Sequence, residues 1–337
     1  MKKFALLLGC LFWISLPMVG HAASQSSGTI TMEFDLSHQA TNAVTKLWIP
    51  YPLSDEDQKI TNISVSGDFA ESAVYSDQKY STPMLYASWD KGTKPRHLTF
   101  TFDAVRKEVV KKDFPKTEAA WNSADYAMYL EPTSLGPIDG EVKVLSDKIV
   151  AGKTTVTAKA KAIYDWIYEN MYRDPNTNGC GAGDVCSLLA TPGGKCTDIH
   201  SVFVSLARAA GVPAREVFGI RQGKKDVVDI SKWQHCWAEF LLPGYGWVPV
   251  DPADVRKMML KHDLKLTDAK TQEYRDYFWG AWDAYRVKLA VGRDIILNPA
   301  QQGAPVNTFG YPYAEVGGEQ LDWLDPAQFK YTITYRK

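Results

Sequence analysis

The sequence is short of several features that would point to common functions. Its 337 residues carry 38 basic and 39 acidic side chains, a formal net charge of −1, so the cationic excess of a nucleic-acid-binding surface is missing. There are only five cysteines, at 10, 180, 186, 196 and 236, and no two stand two to four residues apart. The six histidines are scattered. Both facts argue against a zinc site. No acidic loop has the ligand spacing of a calcium site. There is no internal repeat and no low-complexity segment. No metal and no cofactor is expected, and nucleic acid is not an expected partner.

What is present is ordinary for a globular protein: 45% hydrophobic and 23% charged residues. Eleven Trp and 17 Tyr are many, enough to line a binding groove as well as a core. The N-terminus reads as a signal peptide. Lys2-Lys3 precede an apolar run from Phe4 to Val19, and Gly20-His21-Ala22 offers small residues for cleavage near Ala22 or Ala23. The run is too short for a stable membrane span, and none is expected once it is removed. Leu7-Leu8-Gly9-Cys10 resembles a lipoprotein box, but the apolar run continues well past Cys10. Cleavage would leave 36 basic against 39 acidic side chains and four cysteines. The expected destination is the periplasm or the exterior, where disulfides form. Cys180 and Cys186, flanking part of a Gly-rich loop, are the expected pair.

After residue 23, Ile30, Met32, Phe34 and Leu36 alternate with polar residues, as do Leu98, Phe100, Phe102 and Ala104. That is the period of half-buried strands. Further short strands at 46–49, 61–65 and 84–89 are separated by Pro and Gly turns, which predicts a small antiparallel sandwich. A boundary is expected near Lys111–Asp113, giving a β domain over 24–112 and a second domain over 113–337. In the second, 157–172 reads as a helix and 174–192 as a long loop. The aromatic-rich stretch 274–289 reads as strands, 294–318 as irregular, and 329–335 as a closing strand.

The chain is organised around Gly193-Gly194-Lys195-Cys196-Thr197-Asp198-Ile199-His200. Two glycines permit a sharp turn. Ile199, Val202, Phe203, Leu206, Ala207 and Ala210 then recur at helical spacing, with Gly211 and Pro213 as the stop signal. Cys196 would sit on the buried stripe at the first turn, where the helix dipole and free backbone N–H groups favour a thiolate. Asp198 would suit the same dipole. Downstream, Trp233 to Phe240 and Gly246 to Asp251 read as two strands joined through Pro243-Gly244. A hairpin centred on Pro243 would set His235 directly opposite Asp251. The carboxylate could then accept Nδ1–H and leave Nε2 for the thiol. A thiol at a helix N-terminus, a histidine on a strand and an aspartate on the next strand are the parts of an activated nucleophile.

Together these stretches, with Ala210-Gly211-Val212-Pro213-Ala214-Arg215, His235-Cys236-Trp237-Ala238-Glu239 and Gly246-Trp247-Val248-Pro249-Val250-Asp251-Pro252, resemble the transglutaminase-like family. The match covers about 164–254, and the upstream strands resemble the β domain that precedes this core in bacterial members. The resemblance implies an α+β architecture: an N-terminal antiparallel β-sandwich, then a papain-like core whose Cys-bearing helix packs on an antiparallel sheet carrying His and Asp. It implies a triad of Cys196, His235 and Asp251, and acyl transfer at amide bonds through a thioester. The flanking residues Lys195 and Thr197 depart from the Gln and Trp of the animal cross-linking enzymes. Cross-linking and calcium activation are therefore not expected.

Other roles compete for several residues. His200 shares the helix face of Cys196 and is an alternative base, though no carboxylate is placed to orient it. Cys236, next to His235, should point to the opposite sheet face as a buried thiol. His262 should be solvated. The Cys196 N–H is the expected oxyanion donor, with Tyr172 a second candidate. Trp237 could line a substrate groove, with core packing its competing role. The expected substrates are a peptide, a protein or a peptidoglycan stem, attacked by a peptidase, amidase or transglutaminase-type enzyme. A non-catalytic peptide- or glycan-binding module that retains the fold is the alternative.

Overall fold

The computed structural model describes residues 24–337. The expected signal segment, 1–23, lies outside them. In chain order the first strands are β1 (Gln25–Asp35), β2 (Thr45–Pro50), β3 (Gln58–Gly67), β4 (Glu71–Ser76), β5 (Pro83–Trp89), β6 (His97–Lys107) and the short β7 (Val109–Val110). The middle of the chain holds α1 (Gly140–Ile149), α2 (Val156–Asn170), β8 (Tyr172–Arg173), α3 (Val185–Ala190), β9 (Gly193–Gly194), α4 (Cys196–Ala209), β10 (Ala214–Arg221), β11 (Val227–Asp229), β12 (Gln234–Leu242) and β13 (Gly246–Val250). The last part holds α5 (Pro252–His262), α6 (Ala269–Phe278), β14 (Ala281–Trp282), β15 (Arg286–Val291), β16 (Tyr313–Val316), β17 (Glu319–Gln320) and β18 (Tyr331–Arg336).

The alternating strands pair as their periodicity requires. On β1 the side chains of Ile30, Met32 and Phe34 are buried, and on β6 those of Leu98, Phe100, Phe102 and Ala104. β1 and β6 pair antiparallel along their full lengths. They lie inside a five-stranded sheet of order β11-β18-β1-β6-β3, which faces a second sheet of order β17-β16-β2-β5-β4. Leu47, Ile49, Leu85, Ala87 and Trp89 of the second sheet complete the core between them. Each large apolar side chain so buried contributes about 1.5–3 kcal/mol.

The sandwich is thus not made from 24–112 alone. β18 pairs with β1, setting Ile333 against Met32 and Tyr335 against Ile30, and β16 pairs with β2. Residues 313–336, expected in the second domain, close the sandwich instead. The alternation of Tyr331, Ile333 and Tyr335 marks a strand but carries no sign of its partner, because register across 300 residues is set by tertiary packing.

The second core is an α+β layer pair. Helix α4 lies across the antiparallel sheet β13-β12-β10-β15. The expected amphipathic helix is buried on every side, because α1, α2 and α3 cover the face turned from the sheet. Several of its buried polar groups have partners. Ser201 donates to the Thr197 carbonyl at 2.7 Å, and Arg208 Nε donates to the Ala214 carbonyl at 2.9 Å. Gly211, at φ +76°, ends the helix as its position after Ala210 suggests.

Two local expectations change. Residues 274–278 belong to α6, not to a strand. Thr271, Tyr274 and Phe278 fall at three- and four-residue spacing on one inward stripe, a period masked by the strand propensity of the aromatics. The loop 174–192 also contains α3, capped by Asp184, which accepts the Ser187 hydroxyl at 2.7 Å.

Candidate active site

Cys196 is the first residue of α4 and is 3% exposed. The turn before it is held by Asp198, whose carboxylate accepts N–H of Lys195 at 3.0 Å and of Gly183 at 2.8 Å. The Cys180 carbonyl accepts the Thr197 N–H at 2.9 Å. These bonds leave the Cys196 N–H as a free donor beside its own thiol. Neither Gly193 nor Gly194 has a positive φ. They are needed for space, not for a turn. A Cβ on Gly193 would collide with the Tyr172 ring, and one on Gly194 with Asp198.

The hairpin β12–β13 is centred on Gly244, not Pro243. Ala238 pairs with Val250 and Leu242 with Gly246. Gly244, at φ +77°, takes the turn position a side chain would resist. Asp251 therefore stands diagonal to His235 rather than opposite. The slip moves the residue facing Asp251 by two positions along β12, so the sheet face is unchanged and the pair still meets. The diagonal also decides which ring nitrogen reaches. Nε2–H of His235, the nitrogen far from the backbone, donates to Asp251 Oδ2 at 2.8 Å. Nδ1 is thereby the nitrogen left for the thiol, the reverse of the expected assignment. His235 and Cys196 line the same cavity, and His235 is among the groups that lower the Cys196 thiol.

Asp251 is fully buried and serves more than His235. As the N-cap of α5 its Oδ1 accepts the Asp254 N–H at 2.7 Å. His200 Nε2 lies 3.2 Å from the same oxygen, too bent for a well-formed hydrogen bond, and its Nδ1 faces the Cys236 thiol at 3.7 Å. So the expectation that His200 lacks a carboxylate fails. Both its nitrogens are nevertheless turned to groups other than Cys196. Cys236 is buried as expected.

The residue that sequence reasoning missed is Arg286 on β15. Its side chain is fully buried. Nη1 donates to Asp251 Oδ2 and lies 3.2 Å from His235 Nε2. Nη2 donates to Asp254 Oδ2 at 2.8 Å, and Nε donates to Asp283 at 3.3 Å. Burial pushes the Asp251 carboxyl up, but Arg286, His235 and His200 hold it well below the usual carboxylate range. Asp254 is likewise lowered, to about 2, because Arg221 and Arg286 outweigh its burial. His235, Asp251 and Asp254 bring ligand atoms within 4.8 Å of one another, the spacing of a metal site. The guanidinium already touches all three, so a metal cation would have to displace a buried one. The donor set fits Arg286, not a metal.

Three thiols meet at the site. The Cys196 thiol is held well below the ordinary range, first by hydrogen bonds with Cys180 and Cys236 and then by His235; burial opposes these and is outweighed. Cys180 is pushed up by the same contact with Cys196, and Cys236 chiefly by burial. The expected Cys180–Cys186 disulfide is absent. Cys180 is buried beside Cys196 and accepts the Tyr311 hydroxyl at 3.2 Å, whereas Cys186 is exposed on α3. Ring size and an oxidising compartment could not show that α3 turns one thiol outward.

A cavity of about 1050 Å³ opens over Cys196 and His235. Its walls come from the start of α4, the segment joining β10 to β12, α5, and the segment joining β17 to β18. Neither Tyr172 nor Trp237 is part of this lining. Tyr172 lies over Gly193 and is half exposed. Trp237 is fully buried, packed edge-on against Trp282 at 5.0 Å, so core packing is its role. The aromatic wall is instead Tyr311, Trp323, Phe329 and Tyr331. His262 is exposed at the end of α5, as expected.

Residues 143–252 match the Transglutaminase-like superfamily. An uncharacterized protein of Haemophilus influenzae is 39% identical over 333 residues, covering 91% of this chain and 90% of its own length. This chain belongs to the transglutaminase-like superfamily. A protein-glutamine gamma-glutamyltransferase of Pseudomonas aeruginosa is 30% identical over 108 residues, 30% of this chain and 16% of that protein. The crystal structure of a candidate cysteine protease from Cytophaga hutchinsonii shares the fold, with a TM-score of 0.55 at 19% identity, over 94% of this chain and all of that one. The chain thus has a mixed α+β fold with a papain-like core, which it shares with that structure, and its family supports a cysteine-dependent enzyme kind.

Proposed function

We propose that this transglutaminase-like protein is an exported acyl-transfer enzyme that attacks amide bonds through Cys196. The observation that carries the reading is a buried thiol, lowered from its ordinary range, that lines one cavity with an imidazole held at 2.8 Å by a buried carboxylate: Cys196, His235 and Asp251. Export rests on the residues of the N-terminus, Lys2-Lys3 and the apolar run to Val19. Among the described residues no helix is long and apolar enough to cross a membrane.

The steps follow from the positions. Cys196 Sγ, as thiolate, attacks the amide carbonyl carbon, and the proton resides on His235 Nδ1. The carbonyl oxygen gains negative charge, which the Cys196 N–H stabilises. The C–N bond then breaks, His235 returns its proton to the departing amine, and a thioester remains on Cys196. Water gives an acid and a free enzyme; a second amine gives a new amide. Asp251 holds Nε2–H throughout, so the ring cannot turn away, and Arg286 keeps Asp251 ionised.

Rapid acid quench of the wild-type chain with an activated peptide ester should yield a covalent adduct that maps to Cys196, and Cys196→Ala should yield none. An adduct on Cys180 or Cys236, or none at saturating ester, would sink the reading.

A further inference from the structure

We propose that the cleft over Cys196 selects acidic peptides: acyl donors that carry carboxylates within a few residues of the amide under attack. This rests on the reading of Cys196 as an acyl-accepting nucleophile and adds the class of substrate.

The charge of the cleft differs from that of the chain. Overall, acidic side chains outnumber basic ones by one. The cleft is lined by eight basic side chains against three acidic ones. Arg173, Lys195, Lys257 and Lys261 stand on the side of the helices. Arg221, Lys224, Lys225 and Lys232 stand on the side of the segment leading into β12. Among the described residues only Arg221 of these eight makes an ion pair, with Asp254 and Asp283. The three acidic residues do not answer the rest. Asp254 and Asp283 are already bound by Arg286, and Asp229 accepts the Ser231 N–H at 2.8 Å with Lys232 close by.

Lys257, on α5, is one of the cleft cations whose charge is felt with that of Cys196. It is half-buried; burial and the guanidinium groups of Arg221 and Arg173 push its ammonium down, while Asp254 and Cys196 act the other way. The lining as a whole still carries an excess of positive charge. An anionic occupant offsets it, and a cleft of one sign concentrates such an occupant. Six of the eight are lysines, point charges without the planar fork of arginine. They suit several carboxylates in varied positions rather than one fixed anion. The reactive group is an amide and the facing wall is aromatic, with Tyr311, Trp323 and Phe329. Together these fit a peptide carrying both acidic and apolar side chains.

The test uses the full chain bearing Cys196→Ala and three fluorescent peptides of one length built around a central glutamine, flanked by glutamates, serines or lysines. Anisotropy should show the acidic peptide bound at least about 10-fold more tightly than the basic one at low salt, narrowing to within about threefold near 0.5 M salt. Lys257→Gln, and separately the pair Lys224→Glu and Lys225→Glu, should each cut the acidic-to-basic ratio by about threefold or more. Equal binding of all three peptides, tighter binding of the basic one, or a ratio indifferent to salt and to both sets of substitutions would overturn the proposal. A peptidoglycan stem peptide added as competitor separates the sources. Displacement of the acidic probe at matched concentration points to wall peptides, and retention of the probe points to acidic protein segments. Binding needs no thiol. A charge preference with no thioester therefore leaves the cleft assignment standing and removes the nucleophile; a thioester formed without regard to charge does the reverse.

Discussion

His235→Gln should lower turnover by about 10³-fold or more, whereas His200→Gln should cost no more than about 10-fold. The two histidines lie with ring centres 6.3 Å apart and share the Asp251 carboxylate, so residue type and burial do not separate them. Direction does. His235 gives Nε2 to Asp251 and has its other nitrogen for Cys196. His200 spends one nitrogen toward Cys236 and the other toward Asp251 Oδ1. Glutamine at 235 can still form a hydrogen bond but cannot carry the proton from thiol to leaving amine, and a positioned base is worth about 10²–10⁴ in rate. Steady-state kinetics on a chromogenic amide would measure both variants. A larger loss from His200→Gln than from His235→Gln would reverse the assignment of the base.

Arg286→Met should destabilise the fold by about 3–5 kcal/mol at neutral pH, the usual cost of stranding buried charge. The guanidinium is the shared partner of Asp251, Asp254 and Asp283, and two of those carboxylates are fully shielded from water. The pH dependence gives the effect a distinctive sign. In the wild type Asp251 and Asp254 are lowered on folding, Asp254 to about 2. Their contribution is therefore complete above the unfolded carboxylate value of about 3.9 and is lost as pH falls toward the folded values. Without Arg286, Asp251 loses the largest cause that offsets its burial and its folded carboxyl rises above the unfolded value, while Asp254 keeps Arg221. The variant then gains stability on acidification, so the gap between the two proteins narrows from pH 7 toward about pH 5. Urea denaturation at the two pH values measures this. A gap that is constant or widens would show that Arg286 does not hold these carboxylates ionised.

The parts of the site that lay close together in sequence were legible, and those that depended on distant pairing were not. Cys196 could be placed on the first turn of its helix because glycines precede it, an apolar stripe follows it and Gly211 ends it. His235 and Asp251 could be brought together because the face a strand residue points to depends only on parity. The turn residues suggest a hairpin centre at Pro243 whereas it lies at Gly244, yet His235 and Asp251 still meet because the slip preserves parity. The ring nitrogen facing Asp251 does change with it, since that depends on the diagonal. Arg286 was invisible. An arginine in an alternating strand reads as a solvent-facing residue, and only the pairing of β15 with β10 carries it beneath Asp251. The same holds for the aromatic wall of the cleft, supplied by a segment that returns from the far sheet of the sandwich. Cys180 and Cys186 were paired by spacing and compartment, arguments blind to the short helix that separates their directions.

The central claim is that Cys196 is the ionised, imidazole-paired nucleophile. The rate of Cys196 carbamidomethylation by iodoacetamide, followed by mass mapping from about pH 4 to 10, tests it most directly, because an ordinary cysteine ionises near 8.5. The account predicts that Cys196 reacts at nearly its full rate at pH 6, while Cys180 and Cys236 remain unmodified there. A Cys196 profile that rises only near pH 8.5, or a faster reaction at either neighbouring thiol, would contradict it.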